Sequence, residues 1–131
     1  MSKILSIVIP NYNGVEFLHS CLQSVFAQVR DDCEIVLVDD GSTDESVEVI
    51  HNAFPNALAI GQLKLISIEN SGPGEARNVG VKASCGTYIA FLDSDDFILS
   101  GFIERILAIL QEKAPDIVQF SVLRVLDDKL T

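Results

Sequence analysis

At 131 residues and 14.3 kDa, with 48% apolar and 21% charged residues, the chain is long enough for one domain with a real core. Nine basic against 19 acidic residues give a formal charge of −10, which argues against non-specific binding to nucleic acid or an anionic membrane surface. No apolar run reaches the length of a membrane span, no secretory cleavage pattern follows Met1, and Cys21, Cys33 and Cys85 are too few and too scattered for a disulfide framework or zinc site. Reduced thiols in a cytoplasmic protein are therefore expected, with Cys21 and Cys85 as small residues on helices in or near the core.

Ile4 to Pro10 is a continuous apolar run, the pattern of a strand buried on both faces. Asn11-Tyr12-Asn13-Gly14 follows as a loop. Val15, Leu18, Leu22, Val25, Phe26 and Val29 recur at spacings of three and four, which predicts an amphipathic helix. Glu34 to Val38 is a second buried strand, ending in Asp39 and Asp40. After Gly41, Ser42 and Glu45 have capping-box spacing before a short helix through Val47, Ile50 and Phe54. Asp44 and Glu45 read as helix-start residues favoured by the dipole. Residues 55–61 read as loop, and the alternation in Leu63–Ile68 predicts a less completely covered strand. Asn70 to Gly74 is a glycine-rich loop opening a helix whose Ala76, Val79, Gly80 and Ala83 let it approach a sheet closely. His19 and His51 fall on helices, at solvated positions.

Tyr88 to Leu92 is a further strand, apolar enough to be expected buried rather than half exposed at an edge. It runs directly into Asp93-Ser94-Asp95-Asp96. Ser100 is a candidate cap for a last helix, with Ile103, Ile106, Leu107 and Leu110 as its buried face. Pro115 ends it, residues 117–126 read as a fifth strand, and Asp127 and Asp128 as exposed tail charges. The alternation of strands and helices predicts an α/β fold, a three-layer α/β/α arrangement around a mostly parallel sheet.

In such open sheets ligands bind outside the carboxyl ends of the strands. Tyr12, Asp39, Asp40 and the Asp93–Asp96 cluster all follow strand ends, so one rim should collect them. Three carboxylates on four residues repel one another unless a cation compensates them. Hard oxygen ligands favour Mg²⁺ or Mn²⁺, which commonly bind one or two carboxylates together with substrate phosphates.

These stretches resemble a family 2 glycosyltransferase of the GT-A fold. The matching phrases, in the family's order, are SIVIPNYNG at Ser6–Gly14, VDDGSTD at Val38–Asp44, GEARNVG at Gly74–Gly80 and G-x-Y-I-A-F-L-D-S-D-D at Gly86–Asp96. The resemblance implies a nucleotide-sugar-binding domain over residues 1–131, with the family's acceptor-binding second half absent. It implies that Tyr12 lies against the base, with Pro10 shaping the loop, and that Asp40, helped by Asp39, accepts hydrogen bonds from a base, typically uracil. Arg77 and Asn78 would help form the nucleotide and sugar pocket, with neutralisation of the acidic rim as the other reading of Arg77. Asp93 would face the ribose and sugar, Asp95 would ligate Mn²⁺ or Mg²⁺ at the diphosphate, and Asp96 would support that shell.

The implied reaction is transfer of a hexose from a nucleoside diphosphate sugar, a UDP-sugar foremost, to a hydroxyl on a glycan or lipid-linked acceptor, with inversion. Polysaccharide or cell-surface glycan synthesis is the implied setting, in the cytoplasm or peripherally at the inner face of the membrane. Two features depart from the family pattern. Leu99-Ser100 stands where relatives carry a proline after the aspartates, and no residue matches the family's general base, so none is assigned. A non-catalytic nucleotide-sugar-binding or assembly domain of the same fold is the alternative. A Mg²⁺-dependent phosphatase or phosphoryl transferase is disfavoured, because Asn11 and Asn13 stand where an aspartyl nucleophile would be needed.

Overall fold

The computed structural model describes residues 3–113, together with the backbone of 125–126 and 129–130. The two apolar runs become central strands: β1 (Leu5–Asn11) lies between β2 (Cys33–Asp40) and β4 (Tyr88–Phe91), and β3 (Leu63–Ile68) flanks β2. All three pairings are parallel, with the sheet order β3-β2-β1-β4. Parallel neighbours need crossover helices, and these cover the two faces.

Strand side chains alternate between those faces. Leu5, Ile7, Ile9, Ile35 and Leu37 point to one side, where they pack with α1 (Val15–Phe26), α2 (Ser46–Ala53) and α5 (Phe102–Lys113) through Leu18, Leu22, Ile50, Ile103 and Leu107. Val8, Val36 and Val38 point to the other, where α4 (Pro73–Ala83) lies with Ala76. A Cβ added at Gly80 would run into the Val8 side chain, so the small-residue face of α4 is what lets this helix sit so close. α5 buries Ile103, Ile106, Leu107 and Leu110, as its periodicity predicts.

Several expectations change. β4 is an edge strand among the described residues, with Ile89 37% and Phe91 48% exposed. Its Tyr88 and Ala90, with Leu92 just after it, face the α1–α5 side and pack there; among the described residues α4 lies chiefly over β1 and β2, and Ile89 and Phe91 on the alternate face of β4 stay exposed. Residues 55–59 are not loop but a short helix, α3 (Pro55–Ala59), with Pro55 in its first turn, where a missing N–H costs nothing. Glu45, not Ser42, occupies the α2 cap position, and Asp44 serves that helix start instead. Gln28 Oε1, not Ser100, accepts the Ile103 N–H in the first turn of α5.

Cys21 is buried in α1, whereas Cys85 lies beyond the end of α4 and is exposed. The fifth strand expected at 117–126 lies mostly outside the described residues. Its last two, Val125–Leu126, pair antiparallel with Lys129–Leu130 in a separate ladder. Pro115, Asp127 and Asp128 also lie outside the described residues.

Candidate functional site

Because every strand of the sheet runs the same way, the residues after β1, β2, β3 and β4 meet at one rim. The rim splits at Pro10. β1 stays paired with β2 as far as Asn11 and Asp39, but its pairing with β4 ends at Val8 and Phe91. The Val8 carbonyl accepts Leu92 N–H, so that side of β1 faces β4. Two residues on, the same side belongs to Pro10, which has no N–H to continue the ladder. The tips of β1 and β4 separate there. Since the chain runs from β1 outward through β2 and β3 and returns on the other flank as β4, this is also the topological switch point, where open α/β sheets bind ligands.

On the β1–β2 side, two asparagines fasten the loops together. Asn11 is 1% exposed, and its Nδ2 donates to Asp39 Oδ1 at 3.1 Å and, more weakly, to Ser42 Oγ at 3.4 Å. Asn13 adopts φ 51°, a left-handed conformation that asparagine tolerates better than most residues. Its Oδ1 accepts the N–H groups of Thr43 and Asp44 at 2.8 and 3.2 Å, and its own N–H donates to Ser42 Oγ at 2.9 Å. Asp44 completes the join. Its Oδ2 accepts Val15 N–H at the start of α1, and its Oδ1 accepts Ser46 N–H at the start of α2. Burial pushes the Asp44 carboxyl up, but the hydrogens from Ser46 and Val15 outweigh it and hold the group below its ordinary range. Between the two asparagines Tyr12 is left 53% exposed, a ring presented at the rim by a fixed backbone.

Asp39 and Asp40 are both buried, at 2% and 3% exposure. Asp39 holds its own turn, with Oδ1 accepting from Asn11 and Ser42 Oγ, and Oδ2 from Ser42 N–H at 3.1 Å. Asp40 holds the loop after β3, with Ser71 N–H on Oδ1 at 2.8 Å and Gly72 N–H on Oδ2 at 3.0 Å. That loop packs so tightly on Gly41 that a Cβ there would lie 2.7 Å from Asn70 N, and Gly41 has φ 72° besides.

Across the split lies the acidic tip. Asp93, Asp95 and Asp96 are all exposed, and one carboxylate oxygen from each lies within 4.8 Å of the others. Burial, then the charges of Asp95 and Asp93, raise the Asp96 carboxyl above its ordinary range. The same field reaches Cys21 beneath the loop. Its thiol donates to the Asp93 carbonyl at 3.6 Å and is pushed up to about 12, first by burial and then by Asp96, Asp95 and Asp93. Arg77 of α4 meets Asp93 Oδ1 at 3.3 Å, an ion pair with both side chains partly exposed. Asn78 is exposed on the same helix.

A trio of oxygen donors this close, carrying a raised carboxyl and one partial counter-charge, suits a hard divalent cation. Tyr12 thus stands on one side of the split and Asp93, Asp95 and Asp96 on the other, with Arg77 joined to it through Asp93, while Asp39 lies buried on the β1–β2 side, bonded to Asn11. Asn11, Asn13, Ser42 and Asp44, which organise the base of the rim, were not singled out as site residues in the sequence. The available signal was the N-x-N spacing opposite D-x-x-S-x-D.

The sequence profile for glycosyl transferase family 2 matches residues 6–131. This chain belongs to that family. Among curated relatives, the uncharacterized glycosyltransferase EpsJ of Bacillus subtilis is 35% identical over the whole chain, which covers 37% of EpsJ. The glycosyltransferase GlyG of Streptococcus pneumoniae is 37% identical over 90% of the chain, covering 38% of GlyG. The chain therefore spans less than two-fifths of the length of these relatives. Among solved structures, S. aureus TarS 1-349 in complex with UDP-GlcNAc superposes with a TM-score of 0.76 and 30% identity, over 85% of this chain and 32% of that one. The mannosyltransferase PcManGT of Pyrobaculum calidifontis, at 20% identity and TM-score 0.74, shares the fold over 86% of this chain and 34% of its own. The family 2 chain described here has the GT-A fold of these transferases, an α/β arrangement around a parallel sheet.

Proposed function

We propose that the chain forms the nucleotide-sugar-binding part of a glycosyltransferase, taking a UDP-sugar as donor and a hydroxyl on a glycan or lipid-linked molecule as acceptor. The observation that carries this reading is the split rim, with an exposed aromatic ring on one lip and three clustered carboxylates on the other. The uracil preference is supported by the likeness to TarS, which is solved with UDP-GlcNAc and with UDP.

Tyr12 stacks on the base, and Pro10 keeps the lips apart. Asp40, helped by Asp39, accepts from a base N–H: Asp40 Oδ1 holds one hydrogen, from Ser71, and Asp39 Oδ2 one, from Ser42, so each oxygen retains a lone pair. Arg77 uses one of its five donors on Asp93 and offers others to substrate oxygens, with Asn78 beside it. Asp93 faces the ribose and sugar. Asp95 would ligate Mn²⁺ or Mg²⁺, with Asp96 completing the shell. When bound, such an ion stabilises charge on a leaving diphosphate. Without it the acidic lip and the diphosphate repel each other. We assign no general base among the described residues, and inversion at the sugar belongs to the same proposal.

Calorimetric titration with UDP-GlcNAc in Mn²⁺, Mg²⁺ and chelator tests this reading. Metal is expected to tighten binding about tenfold or more, and Asp95→Asn to remove most of that gain with the fold intact. Equal affinity in chelator would overturn the metal bridge; absence of UDP-GlcNAc and UDP binding under all conditions would overturn the donor site.

A further inference from the structure

Asn11 carries the one buried side-chain oxygen without a hydrogen-bond partner among the described residues, its Oδ1. The orientation of its amide follows from chemistry. A carboxylate only accepts, so the group bonded to Asp39 Oδ1 is the Nδ2 end, and Oδ1 points away from the base-side loop. It points toward Gly14. The position a Cβ would take on Gly14 is 2.5 Å from Asn11 Oδ1 and 2.8 Å from Ser94 Oγ, so both oxygens border the same small space left by the missing side chain. Ser94 sits between Asp93 and Asp95 and is itself nearly buried at 9% exposure. An unsatisfied acceptor and a hydroxyl able to donate thus face one gap, one attached to each lip of the split.

We propose that Asn11 and Ser94 are positioning residues that couple the two ends of the donor site. Occupation of the acidic tip brings the Ser94 hydroxyl to donate to Asn11 Oδ1. Asn11 Nδ2 then carries that constraint into Asp39 and Ser42, and so into the loop that presents Tyr12. The diphosphate end and the base end of the site are ordered together. This rests on the donor site proposed above, and adds a link that no direct contact between ligands requires.

The test uses uridine, which has no phosphate, with Mg²⁺ as the second ligand, and Ser94→Ala separates the link from any contact of the ribose with Asp93 or the ion. NMR titration of the full chain follows uridine binding with and without Mg²⁺, together with the Asn11 side-chain amide resonance. Mg²⁺ is expected to tighten uridine about fivefold, the worth of one hydrogen bond, and to shift the Asn11 amide. Ser94→Ala should abolish both effects, weaken Mg²⁺ by no more than about that same fivefold, and leave the melting temperature near that of the parent. Ser94→Thr, which keeps the hydroxyl, should restore them. If Mg²⁺ binds without changing uridine affinity, or if Ser94→Ala retains the full coupling, the link does not exist, even where UDP-GlcNAc binds in a metal-dependent way. If neither UDP-GlcNAc nor uridine binds, the donor site itself fails, and the link with it.

Discussion

Tyr12 and Asn13 are neighbours in sequence but do different work, and substitution should separate them. The Tyr12 ring is half exposed, so its removal leaves no cavity, whereas stacking of a base on an aromatic ring is worth about 1–3 kcal/mol. Tyr12→Ala should therefore weaken UDP by about one to two factors of ten while the melting temperature stays put. Asn13 touches no expected ligand atom. Its Oδ1 takes two backbone hydrogens, and its φ of 51° disfavours alanine. Asn13→Ala should cost about 1–2 kcal/mol of stability by losing those bonds, and weaken UDP only secondarily. Thermal unfolding read beside UDP titration distinguishes the two. An unchanged UDP affinity in Tyr12→Ala would remove the base from this lip. Motif spacing exposed Tyr12 as a candidate because a lone aromatic at a strand end is conspicuous. It could not expose Asn11 and Asn13, since asparagine in a turn has many ordinary reasons to be there. Only the pairing of β1 with β2 brings them opposite Ser42 and Asp44.

The elements themselves were more legible than their edges. β1 and β2 are read without difficulty, because a strand buried on both faces leaves an uninterrupted apolar run. β4 shows the same apolar character for another reason: one face packs on the core, while Ile89 and Phe91 on the other lie exposed. Composition reports apolarity, and only the sheet order says what covers it. At the opposite end of the sheet from the rim, Glu34 shows what holds β2, β1 and β3 in register. It is 1% exposed and accepts from Ser6 Oγ and Cys85 N–H, with Lys64 Nζ at 2.9 Å. Burial pushes its carboxyl up, but the Ser6, Cys85 and Lys64 partners win and hold it below its ordinary 4.5. A carboxyl lowered by folding contributes stability above that ordinary value, and the contribution is lost as pH falls through the lower folded value. Glu34→Gln should thus cost about 1–3 kcal/mol at neutral pH by stripping charge from a buried hydrogen-bonded group. The gap between variant and parent should close as pH drops below 4.5. Denaturant unfolding at steps from neutral to acid pH checks this, and a gap that stays constant across the range would mean that the ionised carboxylate is not what stabilises the sheet.

For the molecule as a whole, binding and turnover make separate demands. Binding needs one rim, and the parallel sheet supplies it by gathering four strand ends at one edge. Transfer also needs a base within hydrogen-bond reach of the acceptor hydroxyl, and a surface that orients that acceptor. Among the described residues, six of the rim carboxylates already have other work. Asp39 and Asp40 hold backbone hydrogens, Asp44 ties two helix starts, and Asp93, Asp95 and Asp96 form the acidic cluster. General-base assistance is worth about 10²–10⁴-fold, and acceptor orientation can add the equivalent of about 7–11 kcal/mol in the best cases. The purified 131-residue chain is accordingly expected to bind UDP-sugar with metal yet form glycoside slowly or not at all. Hydrolysis of the donor should be the faster reaction, because water needs no acceptor surface. The assay supplies UDP-GlcNAc, Mn²⁺ and a panel of acceptor sugars, and compares glycoside with free sugar released. Rapid metal-dependent glycoside formation would show that a carboxylate at this rim does serve as base. Asp96, whose carboxyl is raised by burial and then by the charges of Asp95 and Asp93, and Glu75 in the first turn of α4 would be the residues to substitute first.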